Sequence, residues 1–392
     1  MMTITPTSEN APGLVVLFGS GETSPSGRKI FDAILKKLPH TPRIALLETP
    51  AGFELNSARV IGRVAEFIAH RLQNYQPRIT IIPARKRGTQ LSPDREEVVS
   101  PILEADLIFM GPGSPSYAVR QLKDSLAWDY ILARHRLGAA LALASSAVVA
   151  ISNFALPVYE IYKVGEDTHW KAGLDFFGQY GLPLVFIPHW NNKDGGEELD
   201  TSRCFIGMAR FFRLMSMLPP DVTVVGIDEK TGLIIDLQAG ECRVLGLGGV
   251  TLIHTGHEHN ISDPDLATTD FEETIDRWSG HVHFYQDGEV FPLDECCSVE
   301  LRLTITGLPP TAWKQAKEVQ KRLKVEREKL GIKKPKPKKI GDVPHQVREL
   351  VAMRQKARQS EDWITADALR EEIARQGWKI VDTPQGPEVV QE

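Results

Sequence analysis

The chain has 392 residues, 42% of them apolar and 25% charged, with a formal net charge of −5. That length suggests two or three domains, and the composition allows a large core without disulfides or metal. The negative balance excludes a generic nucleic-acid binder, and no apolar run approaches the roughly 18 residues of a membrane span. The cysteines are Cys204, Cys242, Cys296 and Cys297, without a C-x-x-C spacing. Reduced thiols and a cytoplasmic setting are expected. The opening MMTITPTSENAPG lacks a basic region followed by an apolar run, so residues 1–12 read as a disordered tail and not as a signal peptide.

Leu14 to Phe18 is an apolar run ending in Gly19-Ser20-Gly21-Glu22. A helix follows, with Ile30, Phe31, Ile34 and Leu35 at helical spacing. Arg43–Thr49 reads as a strand, Val60–Leu72 as a helix and Ile79–Pro83 as a third strand. Val98–Leu103 falls in a helix. Ala105–Met110 is a fourth strand, ending in Gly111-Pro112-Gly113. Ala139–Ala144 is a fifth, running into Ser145-Ser146. Strands that are continuous apolar runs and alternate with helices imply a parallel sheet flanked by helices on both faces. Functional groups in such sheets gather at the C-terminal strand ends. Beyond these come the strand PLVFIP with His189, a helix near Phe205–Met215, and then VTVVGIDE, GLIIDL and ECRVLGLGGVTLI. Residues 284–306 add short β segments, which makes an α/β core with some added antiparallel strand, and the α/β domain is expected over residues 13–308.

Thr311–Lys339 carries twelve Lys/Arg against three Glu and ends in KKPKPKK. Residues 309–342 therefore read as a basic helix and a proline-stiffened linker. Over 343–392, Val347, Leu350, Val351 and Ala357 mark one helix face, and Trp363, Ala366, Leu369 and Ile373 a second. A helical hairpin closed by Gly377 and a short strand at Lys379–Val381 is expected.

A serine on a tight strand-to-helix turn presents its hydroxyl at the sheet edge, where following N–H groups can stabilise an oxyanion. Ser146 fits that position, with an N-cap role for Ser145 or Ser146 as the plainer alternative. His189, also at a strand end, can act as its general base, and Asp228 or Glu229 can orient the imidazole. Gly21, Glu22, Trp190 and Asn191 are the neighbouring candidates for substrate contact.

These residues resemble the cyanophycinase and aspartyl-dipeptidase group of serine peptidases, over roughly residues 13–255. Gly19-Ser20-Gly21-Glu22 is similar to the family's glycine-rich first turn, and Phe109–Ser114 to its oxyanion-loop strand. Ser146-Ala147 is similar to the nucleophile turn, Ile187–Trp190 to the strand ending in histidine, and Gly226–Thr231 to the Gly-Ile-Asp-Glu-x-Thr segment. The resemblance implies a class I glutamine-amidotransferase-like, flavodoxin-like three-layer fold. It implies Ser146 as nucleophile, His189 as base and Glu229 as orienting acid, with Gly113, Ser114 and Ala147 forming the oxyanion hole. A small peptide or isopeptide would be the substrate, without cofactor, and a homodimer is common for such folds. Ala144 and Val148 stand where the family carries glycines, and a valine there crowds the turn.

The segment Arg348–Gly386 resembles the C-terminal module of bacterial cysteinyl-tRNA synthetases through Arg354–Arg358, Ala366–Arg370, Gly377 and Asp382–Gly386. That resemblance implies a tRNA contact, for which Arg354, Lys356, Arg358 and Arg370 are the candidates. The ATP signatures of a synthetase are absent from the sequence, so aminoacylation is not expected; the alternative to a hydrolase is an inactive ligand- or tRNA-binding protein. His254, His257 and His259, with His281 and His283, have metal-like spacing in a turn-rich region, and no metal site is expected from them. Gly19-x-Gly21 lacks the third glycine of a dinucleotide fingerprint.

Overall fold

A computed structural model describes residues 11–255, 282–296, 301–303, 307–329, 345–360, 362–383 and 386–391. The expected N-terminal tail (apart from residues 11 and 12), the KKPKPKK linker, His257, His259, His281 and Cys297 lie outside these residues. The chain divides into two compact units, residues 1–323 and 324–392.

The larger unit opens with β1 (Val15–Phe18), α1 (Pro25–Leu35), β2 (Arg43–Leu47), α2 (Ser57–Arg71) and β3 (Arg78–Ile82). It continues through α3 (Glu96–Val99), β4 (Leu107–Met110), α4 (Pro115–Leu122), α5 (Leu126–Arg136), β5 (Ala140–Ala144) and α6 (Ser146–Ala150). The short pair β6 (Phe154–Ala155) and β7 (Lys171–Ala172) precedes β8 (Leu184–Ile187), α7 (Met208–Met215) and β9 (Val222–Ile227). Five further strands follow: β10 (Thr231–Asp236), β11 (Glu241–Gly246), β12 (Val250–Thr255), β13 (Val282–Tyr285) and β14 (Val290–Pro292).

The main sheet has the order β14-β11-β10-β1-β5-β4-β2-β3. It is parallel from β1 to β3, and β10, β11 and β14 extend it antiparallel, so the main sheet is mixed. The four residues 237–240 between β10 and β11 are too few for a parallel crossover, and a hairpin is the available solution. A second sheet, β13-β12-β9-β8, keeps β8 and β9 parallel and places His189 and Asp228-Glu229 just past the ends of neighbouring strands.

Side chains alternate across the main sheet with period two. Val15, Leu17, Ile108, Met110, Leu141 and Leu143 face a core shared with α4 and α5. Val16, Phe18, Leu107, Phe109, Ala140, Ala142 and Ala144 face a second core shared with α1 and α2. The three alanines of β5 leave room on that face for Phe31, whose ring centroid lies 5.1 Å from Phe18 and 6.0 Å from Phe109. Strands buried on both faces and covered by helices give the layered α/β architecture that the continuous apolar runs imply.

The helix Pro310–Lys329 buries Ala312, Trp313 and Ala316 in the core of the larger unit. Its basic character belongs to the exposed face and the last turns.

In the smaller unit, the helices His345–Gln359 and Trp363–Arg375 share a core of Val347, Val351, Ile373, Trp378, Ile380 and Val389. The expected short strand is longer, Trp378–Thr383, and pairs antiparallel with a strand that sequence reasoning missed, Gly386–Gln391. Asp362 caps the second helix by accepting from the Thr365 N–H at 3.1 Å. Trp363, expected on the inner face, is exposed at the first helical position.

Candidate active site

Strand β5 ends at Ala144, and the next residue carries the turn. Ser145 has φ 53° and ψ −115°, a conformation that costs a non-glycine residue roughly 1–3 kcal/mol. Its N–H still donates to the Phe18 carbonyl at 3.3 Å, and its own carbonyl accepts from Val148 N–H at 3.0 Å. The strained residue thus joins the sheet on one side to α6 on the other. Strain at such a junction lifts the side chain out of the sheet toward the groups beyond the strand ends.

Those groups form a relay. Ser145 Oγ lies 3.0 Å from His189 Nε2, and His189 Nδ1 lies 2.8 Å from Glu229 Oε1. A carboxylate only accepts, so Nδ1 carries the proton and Nε2 is left to accept from the serine hydroxyl. Glu229 also accepts from Asn192 Nδ2 at 2.8 Å, while its N–H donates to Asn191 Oδ1 at 2.9 Å. The hydrogen bond to His189, helped by Asn192, holds the Glu229 carboxyl below the usual carboxylate range against the opposing effect of burial. Asp228 points elsewhere: its carboxylate accepts from Gly249 N–H at 2.9 Å, and burial raises its pKa. Of the two acids left open by the sequence, the structure brings Glu229 to the imidazole.

Ser146, expected at the imidazole, is one residue too far. It is buried, and its hydroxyl donates to the Gly111 carbonyl at 3.1 Å. The strand leaves the sheet at Ala144, so the first serine takes the turn and the second starts the helix. Val148, flagged as crowding the turn, is fully buried in the main core and contributes its N–H to the Ser145 carbonyl.

The loop after β4 meets this turn. Gly113 has φ 152°, and a Cβ at that position would fall 1.9 Å from the Pro50 carbonyl oxygen, so only glycine fits. Ser114, expected in an oxyanion hole, has its N–H engaged with the Pro50 carbonyl at 2.9 Å, and its side chain caps α4 by accepting from Tyr117 N–H. Ala147 stands at the second position of α6, and Ser146 at the first. Neither N–H has a carbonyl four residues back within the helix to bond.

His189 is held on both sides. Its N–H donates to the Gly19 carbonyl at 3.0 Å, and a Cβ on Gly19 would collide with the Asp228 carbonyl at 2.0 Å. Its own carbonyl accepts from Cys204 N–H at 3.1 Å. Arg203, Cys204 and Phe205 are three consecutive residues with left-handed φ of 56°, 61° and 68°. Each costs roughly 1–2 kcal/mol relative to the right-handed form. The helix expected from Phe205 starts only at Met208, because these residues are committed to that turn. Arg203 secures it: its N–H and its guanidinium both donate to the Trp190 carbonyl, at 2.9 and 2.8 Å, and the guanidinium lies 4.0 Å over the indole. Burial lowers the Arg203 pKa to about 10 and pushes the Cys204 thiol up to about 12, so this cysteine is not a reactive nucleophile.

The expected substrate contacts separate into different roles. Trp190 is buried and packs edge-on against Phe211, with centroids 5.1 Å apart. Asn191 holds the Glu229 backbone. Gly21 shapes the first turn, its carbonyl accepting from the Ser24 hydroxyl at 2.6 Å. Glu22 is partly buried beside His189, and burial raises its pKa. Sequence reasoning missed Ser145, Asn192 and the 203–205 turn. Adjacent serines cannot be told apart by pattern, and the turn contains no glycine to announce it.

In the second sheet, His254 Nδ1 lies 3.1 Å from Thr223 Oγ1 and its ring stands edge-on to His283. Among the described residues, no group of three or more His, Cys, Asp or Glu is placed to hold a metal ion. No described helix is long and apolar enough to cross a membrane. In the smaller unit Arg354 is buried, which removes it from the candidates for phosphate contact; Lys356 is exposed and Arg358 and Arg370 are half-buried.

No protein-family model matches the chain. The fold is similar to that of a solved peptidase from an acI-B1 actinobacterium, with TM-score 0.52 and 19% identity, covering 72% of this chain and 98% of that one. The C-terminal region is similar to cysteine–tRNA ligases. The similarity is 42% identity over 57 residues with cysteine–tRNA ligase 1 of Burkholderia lata, and 51% over 47 residues with the ligase of Rubrobacter xylanophilus. These segments are 14% and 12% of this chain, and the chain spans only 12% and 10% of those curated relatives.

Proposed function

We propose that the larger unit is a serine-nucleophile hydrolase of the cyanophycinase and aspartyl-dipeptidase kind, acting on a small peptide or isopeptide through an acyl-enzyme. The observation that carries this reading is the unbroken relay from Ser145 Oγ through His189 to Glu229, set on a strained strand-to-helix turn. Ser145 is the nucleophile, His189 the base and Glu229 the acid that fixes the tautomer and stabilises the imidazolium. His189 Nε2 takes the serine proton as Oγ attacks the carbonyl carbon. It returns that proton to the leaving nitrogen as the C–N bond breaks, and water then repeats the sequence on the ester. With the nucleophile at 145, the oxyanion donors are the N–H groups of Ser146 and Gly113, since the Ser114 N–H is engaged and Ala147 lies one position further on. No step calls on a cofactor. The buried free thiols Cys204, Cys242 and Cys296 agree with a reducing, cytoplasmic setting.

The smaller unit is proposed to contact tRNA through Lys356, Arg358 and Arg370, by its likeness to the ligase segment. Brief incubation of the full chain with an activated ester, followed by peptide mapping, tests the hydrolase. An acyl group on Ser145 supports it, and a well-folded protein that acquires none overturns it.

A further inference from the structure

The left-handed turn at 203–205 does more than hold His189. It delivers the Phe205 ring to the imidazole, with centroids 5.4 Å apart, and Tyr162 continues the contact at 5.8 Å from Phe205. Tyr162 comes from a separate short helical turn, Glu160–Val164, and is 37% exposed; Val164 beyond it is 73% exposed. Two ring contacts therefore lead outward from the imidazole, through the half-buried Phe205 to the partly exposed Tyr162. Tyr162 is absent from the buried core on which Phe205 packs, so its exposed ring edge is open to a further contact.

We propose that Phe205 and Tyr162 form an aromatic subsite that receives an aromatic or branched apolar side chain on the leaving-group side of the scissile bond; this deepens the hydrolase reading and rests on it. The side follows from the chemistry. His189 Nε2 hands its proton to the leaving nitrogen, so the residue bearing that nitrogen lies against the imidazole and its side chain meets the rings that flank it. Aromatic rings pair favourably in offset or edge-on geometry, and Phe205 is fixed before any substrate arrives: its N–H donates to the Thr201 carbonyl at 3.0 Å, and its neighbours Arg203 and Cys204 donate to the Trp190 and His189 carbonyls. Such a wall favours large apolar leaving residues and disfavours glycine or charged ones.

Calorimetry with the full-length Ser145→Ala variant tests this without turnover, using the dipeptides Asp-Phe and Asp-Leu against Asp-Gly and Asp-Asp. The first pair is expected to bind at least about tenfold more tightly, the scale of burying one large apolar side chain. Tyr162→Ala in the same background, a surface change that leaves the 203–205 turn intact, is expected to reduce the difference to within about threefold, and Phe205→Ala to do the same. Equal binding across the four peptides, no binding by any, or a preference that survives both substitutions would overturn the subsite. Fluorophosphonate labelling of the protein with Ser145 present reports the hydrolase reading separately. Labelling together with flat binding sinks the subsite alone. Aromatic-selective binding without labelling supports the subsite and sinks the hydrolase.

Discussion

Asn192 donates from its side-chain amide to the same Glu229 oxygen that faces His189 Nδ1, both at 2.8 Å. One carboxylate oxygen thus anchors the imidazole and is itself anchored, which fixes the ring plane before substrate binds. Replacing Glu229 by Gln would present an amide that cannot distinguish the two tautomers in the required way. Turnover of an activated ester by Glu229→Gln is expected to fall by about 10³- to 10⁴-fold, the scale of the corresponding loss in serine-protease triads. Circular dichroism should remain that of the wild type. Activity within tenfold of wild type would remove Glu229 from the relay.

The 203–205 turn gives a stability test. The Arg203 guanidinium binds the Trp190 carbonyl and covers the indole, which offsets the left-handed backbone of Arg203, Cys204 and Phe205. Arg203→Ala is expected to destabilise the larger unit by roughly 2–4 kcal/mol, combining a lost buried charged hydrogen bond and a lost cation–π contact. Urea unfolding followed by tryptophan fluorescence reads this directly. A midpoint unchanged from wild type would show that the turn holds itself.

Asp129, in the first turn of α5, has its pKa raised to about 6 by burial, with Asp124 and Asp94 adding repulsion. The folded value lies above the unfolded one. Its protonated form therefore contributes stability that is complete below pH 3.8 and is lost as pH rises through about 6. Asp129→Asn is expected to raise Tm by a few degrees at pH 7.5, about 1 kcal/mol after allowance for solvent screening, and to leave it unchanged at pH 3.5. A Tm gain of equal size at both pH values would contradict the assignment.

How far these features could be read from residues alone depends on what each one requires. Buried strands announce themselves because Val15–Phe18, Leu107–Met110 and Ala140–Ala144 are apolar on both faces. His189 was legible because it follows directly on the strand Leu184–Ile187. The choice between Ser145 and Ser146 was not, since it turns on which residue first leaves the sheet, and a one-residue shift carries the hydroxyl from the imidazole to the Gly111 carbonyl. Asp228 and Glu229 posed the same problem, decided by the Gly249 N–H that engages Asp228. The strand Gly386–Gln391 escaped notice because only its pairing with Trp378–Thr383 defines it. Trp190 was misjudged because an aromatic at a strand end looks available, whereas Arg203 and Phe211 enclose it.

The smaller unit separates its basic residues by burial. Lys356→Glu combined with Arg370→Glu in the full chain is expected to weaken tRNA binding severalfold and to flatten its dependence on salt by about two units of slope. Arg354→Glu should instead lower the stability of that unit, because the side chain is buried. Filter binding at several salt concentrations measures the first effect. An unchanged salt slope would end the RNA proposal for these residues.

The neighbouring serines offer the most direct test of the catalytic assignment. The rate of labelling by a fluorophosphonate is to be measured for the wild type, Ser145→Ala and Ser146→Ala. Ser145 meets the imidazole at 3.0 Å, whereas Ser146 donates to a carbonyl, so labelling should vanish in Ser145→Ala and persist in Ser146→Ala. Labelling that survives Ser145→Ala and vanishes in Ser146→Ala, or its absence from the folded wild type, would contradict the assignment.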